Sequence, residues 1–223
     1  MRFVNLVHPG TCEAVEQVKH WLFSNDYEVL FLDLPQVYDP SDLSLSRGLK
    51  VYQPLLQALR VLASKGISVY FYLSPRYQAV AKEVALEFAA LTLRARLGRI
   101  EPEQWKEVAK KEVKAFIQSL DEHTRYIATR AKSVNVCVNL PAEVKEEFLL
   151  AGHKVEEIVV DVPCKPMDIF WQKVKEEELY GKKFSQEEAK KLIEQHVEFV
   201  GLILEKDFDE AYKIWKQRVK CNQ

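Results

Sequence analysis

Five apolar runs punctuate the chain, and each closes on a polar residue followed within two positions by proline: Val4–His8 before Pro9, Val29–Asp33 before Pro35, Val69–Ser74 before Pro75, Val136–Asn139 before Pro141, and Ile158–Asp161 before Pro163. Short runs apolar on both alternating faces read as strands covered on both sides, the pattern of a parallel sheet. Between them the period changes to that of a helix. Thr11 stands as N-cap to a helix reaching about Asn25, with Val15, Val18, Leu22 and Phe23 at helical spacing. A polar stretch, Tyr38–Gly48, reads as a loop, and a second helix runs from about Val51 to Ser64 and stops at Lys65-Gly66. A third spans Pro141–Ala151 and stops at Gly152. This alternation predicts an α/β fold with a mostly parallel five-stranded sheet and helices on both faces.

The connection between the third and fourth strands is far longer than a crossover needs. From Tyr77 to Lys132 it reads as a helical hairpin broken at Leu97-Gly98-Arg99. Its first arm is alanine-rich, and its second opens at Glu101-Pro102 and carries an apolar stripe of Trp105, Val108, Val113, Phe116, Leu120, Ile127 and Ala131. A lid or a dimerisation hairpin fits this insertion. After Pro166 the pattern is helical only. Ser185 and Glu188 form a capping box ahead of Leu192, His196 and Phe199, and the final helix carries Phe208, Tyr212 and Trp215 on one face. The domain reading is therefore an α/β domain over 1–165, with a helical insertion at about 77–132, and a helical extension over 166–223. That extension either packs on the domain or meets a second copy in a homodimer.

Lys and Arg number 32 against 33 Asp and Glu, so the net charge of −1 supplies no global attraction to nucleic acid or acidic membranes. A local patch of Lys106, Lys110, Lys111 and Lys114 reads either as a basic surface or as the solvated face of a helix. Cys12, Cys137, Cys164 and Cys221 are widely spaced, which excludes C-x-x-C metal or redox motifs. With a strand at the start in place of a signal peptide, and with apolar runs too short to span a bilayer, the expectation is a cytoplasmic, reduced protein without a membrane partner. Abundant Lys and Glu with only two Met point toward a thermophilic source.

Parallel strands would gather His8, Asp33, Ser74, Asn139 and Asp161 along the carboxyl edge of the sheet, where open α/β folds bind ligands. His8 beside Asp33 suits a general base oriented by a carboxylate, with Arg76 offering a bidentate cation to a carboxylate or phosphate. Gly10 and Thr11, opening a helix, suit an anion, and Ser74 adds a hydroxyl. Asp33 and Asp161 could share a divalent metal with His8. Each has a plainer reading: Thr11 as a helix cap, the aspartates as caps, and His8 as a hydrogen-bonded structural histidine.

In order of elements the chain resembles the superfamily of TraB, TIKI and ChaN-like proteins. The matching positions are His8 after the first strand, Asp33 after the second, the hairpin Tyr77–Lys132, Arg125 on the helix before the fourth strand, and Asn139 at that strand's end. Here Gly10-Thr11 follow the histidine instead of preceding it, and an aspartate stands where the family has glutamate. The resemblance implies metal-assisted hydrolysis of a small molecule, or a related binding role without catalysis, with Arg125 and Asn139 among the ligand contacts. Three functions follow: a metal-assisted, hydrolase-like enzyme; a non-catalytic sensor of an anionic metabolite or nucleotide; and an assembly protein that dimerises through its helices.

Overall fold

The computed structural model describes residues 1–36 and 50–219. The loop expected over Tyr38–Gly48 lies outside the described residues, as does Cys221. Two compact units divide the chain, one made of Met1–Pro75 and Leu120–Val162, the other of Arg76–Ser119 and the residues from Pro163 onward.

The first unit holds five parallel strands: β1 (Arg2–Val7), β2 (Val29–Pro35), β3 (Ser68–Leu73), β4 (Val134–Val138) and β5 (Lys154–Val159). Helices α1 (Cys12–Ser24), α2 (Gln53–Ser64) and α5 (Ala142–Leu150) connect them. The strand order is β3-β2-β4-β1-β5. The connection from β1 to β2 therefore passes over β4, while that from β4 to β5 passes over β1 in the opposite direction. Right-handed crossovers running in opposite directions place their helices on opposite faces.

The side chains follow that rule through the period of two along each strand. Val4, Leu6, Leu30, Leu32, Val136 and Val138 face a core shared with Val15, Val18 and Leu22 of α1 and with Leu55, Leu59 and Leu62 of α2. Their alternates Phe3, Val29, Phe31 and Cys137 face a second core with Val144 and Phe148 of α5. Phe3 stacks on Phe148 with ring centroids 4.4 Å apart. Burying one such ring contributes about 1.5–3 kcal/mol. Asn5, on this second face, is held by Leu140, whose N–H donates to its Oδ1 at 2.8 Å. The pair lets a polar residue sit inside the sheet without an unmet bond.

The second unit contains most of α3 (Pro75–Arg96), the larger part of α4 (Pro102–Ala128), and α6 (Pro166–Tyr180), α7 (Gln186–Glu205) and α8 (Phe208–Val219). Trp105, Val108 and Val113 of α4 pack with Val84 and Leu91 of α3, Phe170 and Val174 of α6, and Ile193 of α7. Phe199, Tyr212 and Trp215 form a smaller cluster around Cys164. The capping box at Ser185 and Glu188 is present in both its hydrogen bonds. The four lysines of α4 do not make a basic patch, because each meets an acid: Lys106 with Glu177 at 3.1 Å, Lys110 with Glu107 at 3.2 Å, Lys111 with Glu87 at 2.7 Å and Lys114 with Glu178 at 3.6 Å. Lys106 is buried, and its ammonium also donates to the Phe184 carbonyl at 2.7 Å. Among the described residues no helix is long and apolar enough to cross a membrane.

Candidate ligand-binding site

The strand order places the topological switch point between β1 and β4, whose outgoing helices diverge to opposite faces. Ligand crevices of open α/β sheets form outside the carboxyl ends of such a strand pair. The residues that stand there are His8 after β1 and Asn139 after β4, and they are bonded to each other. The backbone N–H of His8 donates to Asn139 Oδ1 at 2.9 Å. Asn139 Nδ2 in turn donates to Asp33 Oδ2, on β2, at 2.8 Å. The Tyr52 hydroxyl completes the set by donating to the same carboxylate, 2.8 Å from Oδ1. Burial, and then the Asp33 carboxylate beside it, hold the Tyr52 phenol well above its usual pKa, so it remains a donor.

Asn139 adopts φ +51°, a left-handed conformation that asparagine tolerates better than most residues. It turns the chain out of β4 while its own N–H still donates to the Leu6 carbonyl of β1 at 3.0 Å. Gly10, at φ +76°, does the corresponding work after β1. Its N–H donates to His8 Nδ1 at 3.0 Å. That bond assigns Nδ1 as acceptor and the ring proton to Nε2 in the neutral imidazole. Thr11 then caps α1, its hydroxyl oxygen accepting from the Ala14 N–H at 3.2 Å.

Further along the edge, the Tyr72 hydroxyl donates to the Asn139 carbonyl at 2.8 Å. Its ring meets that of His123 edge-on at 6.0 Å. The Ser74 N–H donates to His123 Nε2 at 3.0 Å. The ends of β1, β2, β3 and β4 are thus tied by one chain of polar and ring contacts.

His8, Gly10, Thr11, Asp33 and Asn139 therefore come together as expected of strand ends. The carboxylate of Asp33, however, accepts from Asn139 and Tyr52, and His8 Nδ1 accepts from Gly10, so the two do not form a base oriented by a carboxylate. Ser74 contributes its backbone to His123. Arg76 is exposed in the first turn of α3 and belongs to the second unit, and Arg125 is exposed on α4. Asp161, beyond β5, accepts from the N–H of Val162 at 2.8 Å in a local turn. Among the described residues no three His, Cys, Asp or Glu side chains assemble as a metal-ligand set. Asp33, Asp161 and His8 thus do not fit the divalent ion that the family resemblance implies.

Tyr52 was not singled out from sequence. His123 belongs to the polar segment Asp121–Tyr126, which interrupts the apolar stripe of α4 just ahead of β4 and so could reach the sheet edge; it falls between Leu120 and Ile127 at spacings of three and four.

Burial pulls the pKa of His123 down to about 4, and that of His196 in the helical unit likewise to about 4. An unfolded histidine titrates near 6.5, so the unfolded chain takes up protons first as pH falls and the native state loses ground between about 6.5 and 4. Moving from pH 7 to pH 5.5 is expected to cost about 1 kcal/mol per histidine in urea unfolding. His123→Gln should flatten its share of that slope, and an unchanged slope in this variant would contradict the assignment.

No family model, curated protein or solved structure matches the chain.

Proposed function

We propose that the α/β unit is a non-catalytic binding module for a small anionic molecule such as a nucleoside monophosphate. The observation that carries this reading is the hydrogen-bonded frame at the switch point. It spends the Asp33 carboxylate and His8 Nδ1 on holding strand ends together, and so favours a rigid receptor over a poised base. That frame stands beside Gly10 and the amino-terminal end of α1, where the helix dipole is positive. Donors at a helix start suit an anion. Hydrolysis draws less support, because no metal-ligand set is built from the described residues and the Asp33 carboxylate is bonded to Tyr52 and Asn139.

Thermal melts with AMP, inorganic phosphate and uncharged adenosine test it. AMP at a hundred times its Kd is expected to add about 2.7 kcal/mol, a rise of several degrees in Tm, with adenosine far weaker. His8→Phe keeps a ring against Tyr52 and removes the Nδ1 acceptor that fixes the Gly10 turn ahead of α1, and is expected to abolish the rise. No rise with AMP, phosphate or a wider panel of anions, or turnover of a phosphate or carboxylic ester that His8→Phe removes, overturns the proposal.

A further inference from the structure

A cavity of about 900 Å³ lies within the helical unit, in the size range of small-molecule sites. It follows α3 from Tyr77 to Arg96, roughly 28 Å at 1.5 Å per residue. Ala85 and Ala89, one turn apart, keep its floor low, and Phe88 lies between them. The two ends differ in chemistry.

At one end the Tyr77 hydroxyl donates to Glu112 Oε1 at 3.0 Å. The Tyr77 and Trp171 rings both meet Phe116 edge-on, at 5.8 Å and 5.2 Å, which fixes these aromatics around the carboxylate. Asp168, also in the lining, is neutralised by Lys165 at 3.2 Å. Glu112 has no such partner: among the described residues no cation bonds to it, and burial raises its pKa. At the other end Leu93 and Leu204 line the mouth while each remains 63% exposed. His196, which lines the same stretch, is bonded to Thr92 at 3.1 Å and offers no charge.

A carboxylate in an apolar, aromatic-walled cleft is costly until a cation meets it. The Phe116 and Trp171 rings already carry the buried Lys175 ammonium, at 5.6 Å and 5.5 Å, so the carboxylate alone selects the charge of the guest. The geometry points to a binding site for a monocationic amphiphile, with an ammonium head at Glu112 and Tyr77 and an apolar body lying along Ala85, Phe88 and Ala89 toward Leu93. The Glu112 carboxylate, which no cation among the described residues meets, disfavours a fatty acid at the head end, and the length of the groove favours an extended body over a compact one. This site is independent of the reading given for the sheet edge, and its test uses different probes.

Calorimetric titration of the full chain with octylammonium, octanoate and octanol decides it. Octylammonium is expected to bind at least about tenfold more tightly than octanoate. Glu112→Gln, which keeps the shape and the acceptor for Tyr77, is expected to weaken octylammonium by about tenfold while octanol changes by less than about twofold. Ala89→Trp, at an exposed position on the groove, fills the floor without disturbing the core and is expected to abolish binding of all three. Octanoate binding as well as octylammonium, an unchanged Glu112→Gln, or a lack of saturable octylammonium binding each overturns the assignment. So does a basic helical peptide that binds where octylammonium does not, since the groove would then be a peptide site.

Discussion

Replacing Asn139 by alanine is expected to lower stability by about 3–5 kcal/mol and the Tm by about 10 °C. The side chain makes two bonds that join three strand ends. Its Oδ1 accepts the His8 N–H, and its Nδ2 donates to Asp33. Alanine removes the acceptor of the buried His8 N–H and leaves Asp33 Oδ2 with the Tyr52 hydroxyl alone, 2.9 Å away, at about 1–3 kcal/mol for the first and about 1–1.5 kcal/mol for the second. It also places a Cβ-bearing residue without a local polar side chain at φ +51°, which adds roughly 1 kcal/mol. Asn139→Gly separates the two effects. It relieves the backbone and keeps the lost bonds, so it should recover about 1 kcal/mol of the deficit. Urea unfolding of the three proteins at pH 7 measures both. An alanine variant within about 1 kcal/mol of the parent would mean that the edge network contributes little to holding β1, β2 and β4 together.

Trp105→Ala is the corresponding test of the helical unit, with an expected loss of about 3–5 kcal/mol. The indole is 1% exposed and is boxed by Phe88 at 5.7 Å, Phe170 at 6.5 Å and His196 at 5.8 Å. These neighbours come from three helices, so removal of the ring leaves a void that no single side-chain rotation fills. Trp105→Phe retains much of the volume and should cost less than half as much. Chemical denaturation followed by far-ultraviolet circular dichroism reads the difference. Equal losses for the two variants would place the effect in the indole N–H and not in packing.

The succession of strands and helices was legible because two local signals coincide, apolar runs and the prolines that end them. The capping box at Ser185 and the stops at Lys65-Gly66 and Gly152 were legible for the same reason, being decided within a few residues. Strand order was not. Nothing local to Val136–Val138 says that β4 inserts between β1 and β2; that is settled by which partners bury both faces of the run. β5 shows the same limit, since its apolar end suggested a covered strand, while Glu156 and Glu157 leave it a half-open edge that pairs with β1 alone. At the site, His8, Asp33 and Asn139 could be found as strand ends. Their mutual bonding could not, because it depends on β4 standing beside β1. Tyr52 reaches Asp33 from the turn ahead of α2, a meeting of residues 19 positions apart that periodicity does not encode. The burial of Lys106 was equally hidden, since its carbonyl partner at Phe184 lies 78 residues away.

Cys137 sits at the centre of β4 with no exposed surface, and burial raises the pKa of its thiol. Cys164 is sealed in the other unit against Tyr212, while Cys12 lies open to solvent. Among the described residues a thiol reagent therefore meets three different situations: no gate at Cys12, the parting of the sheet at Cys137, and the loosening of the helical cluster at Cys164. The cysteines amount to a built-in set of clocks, each timing the opening of its own part of the molecule.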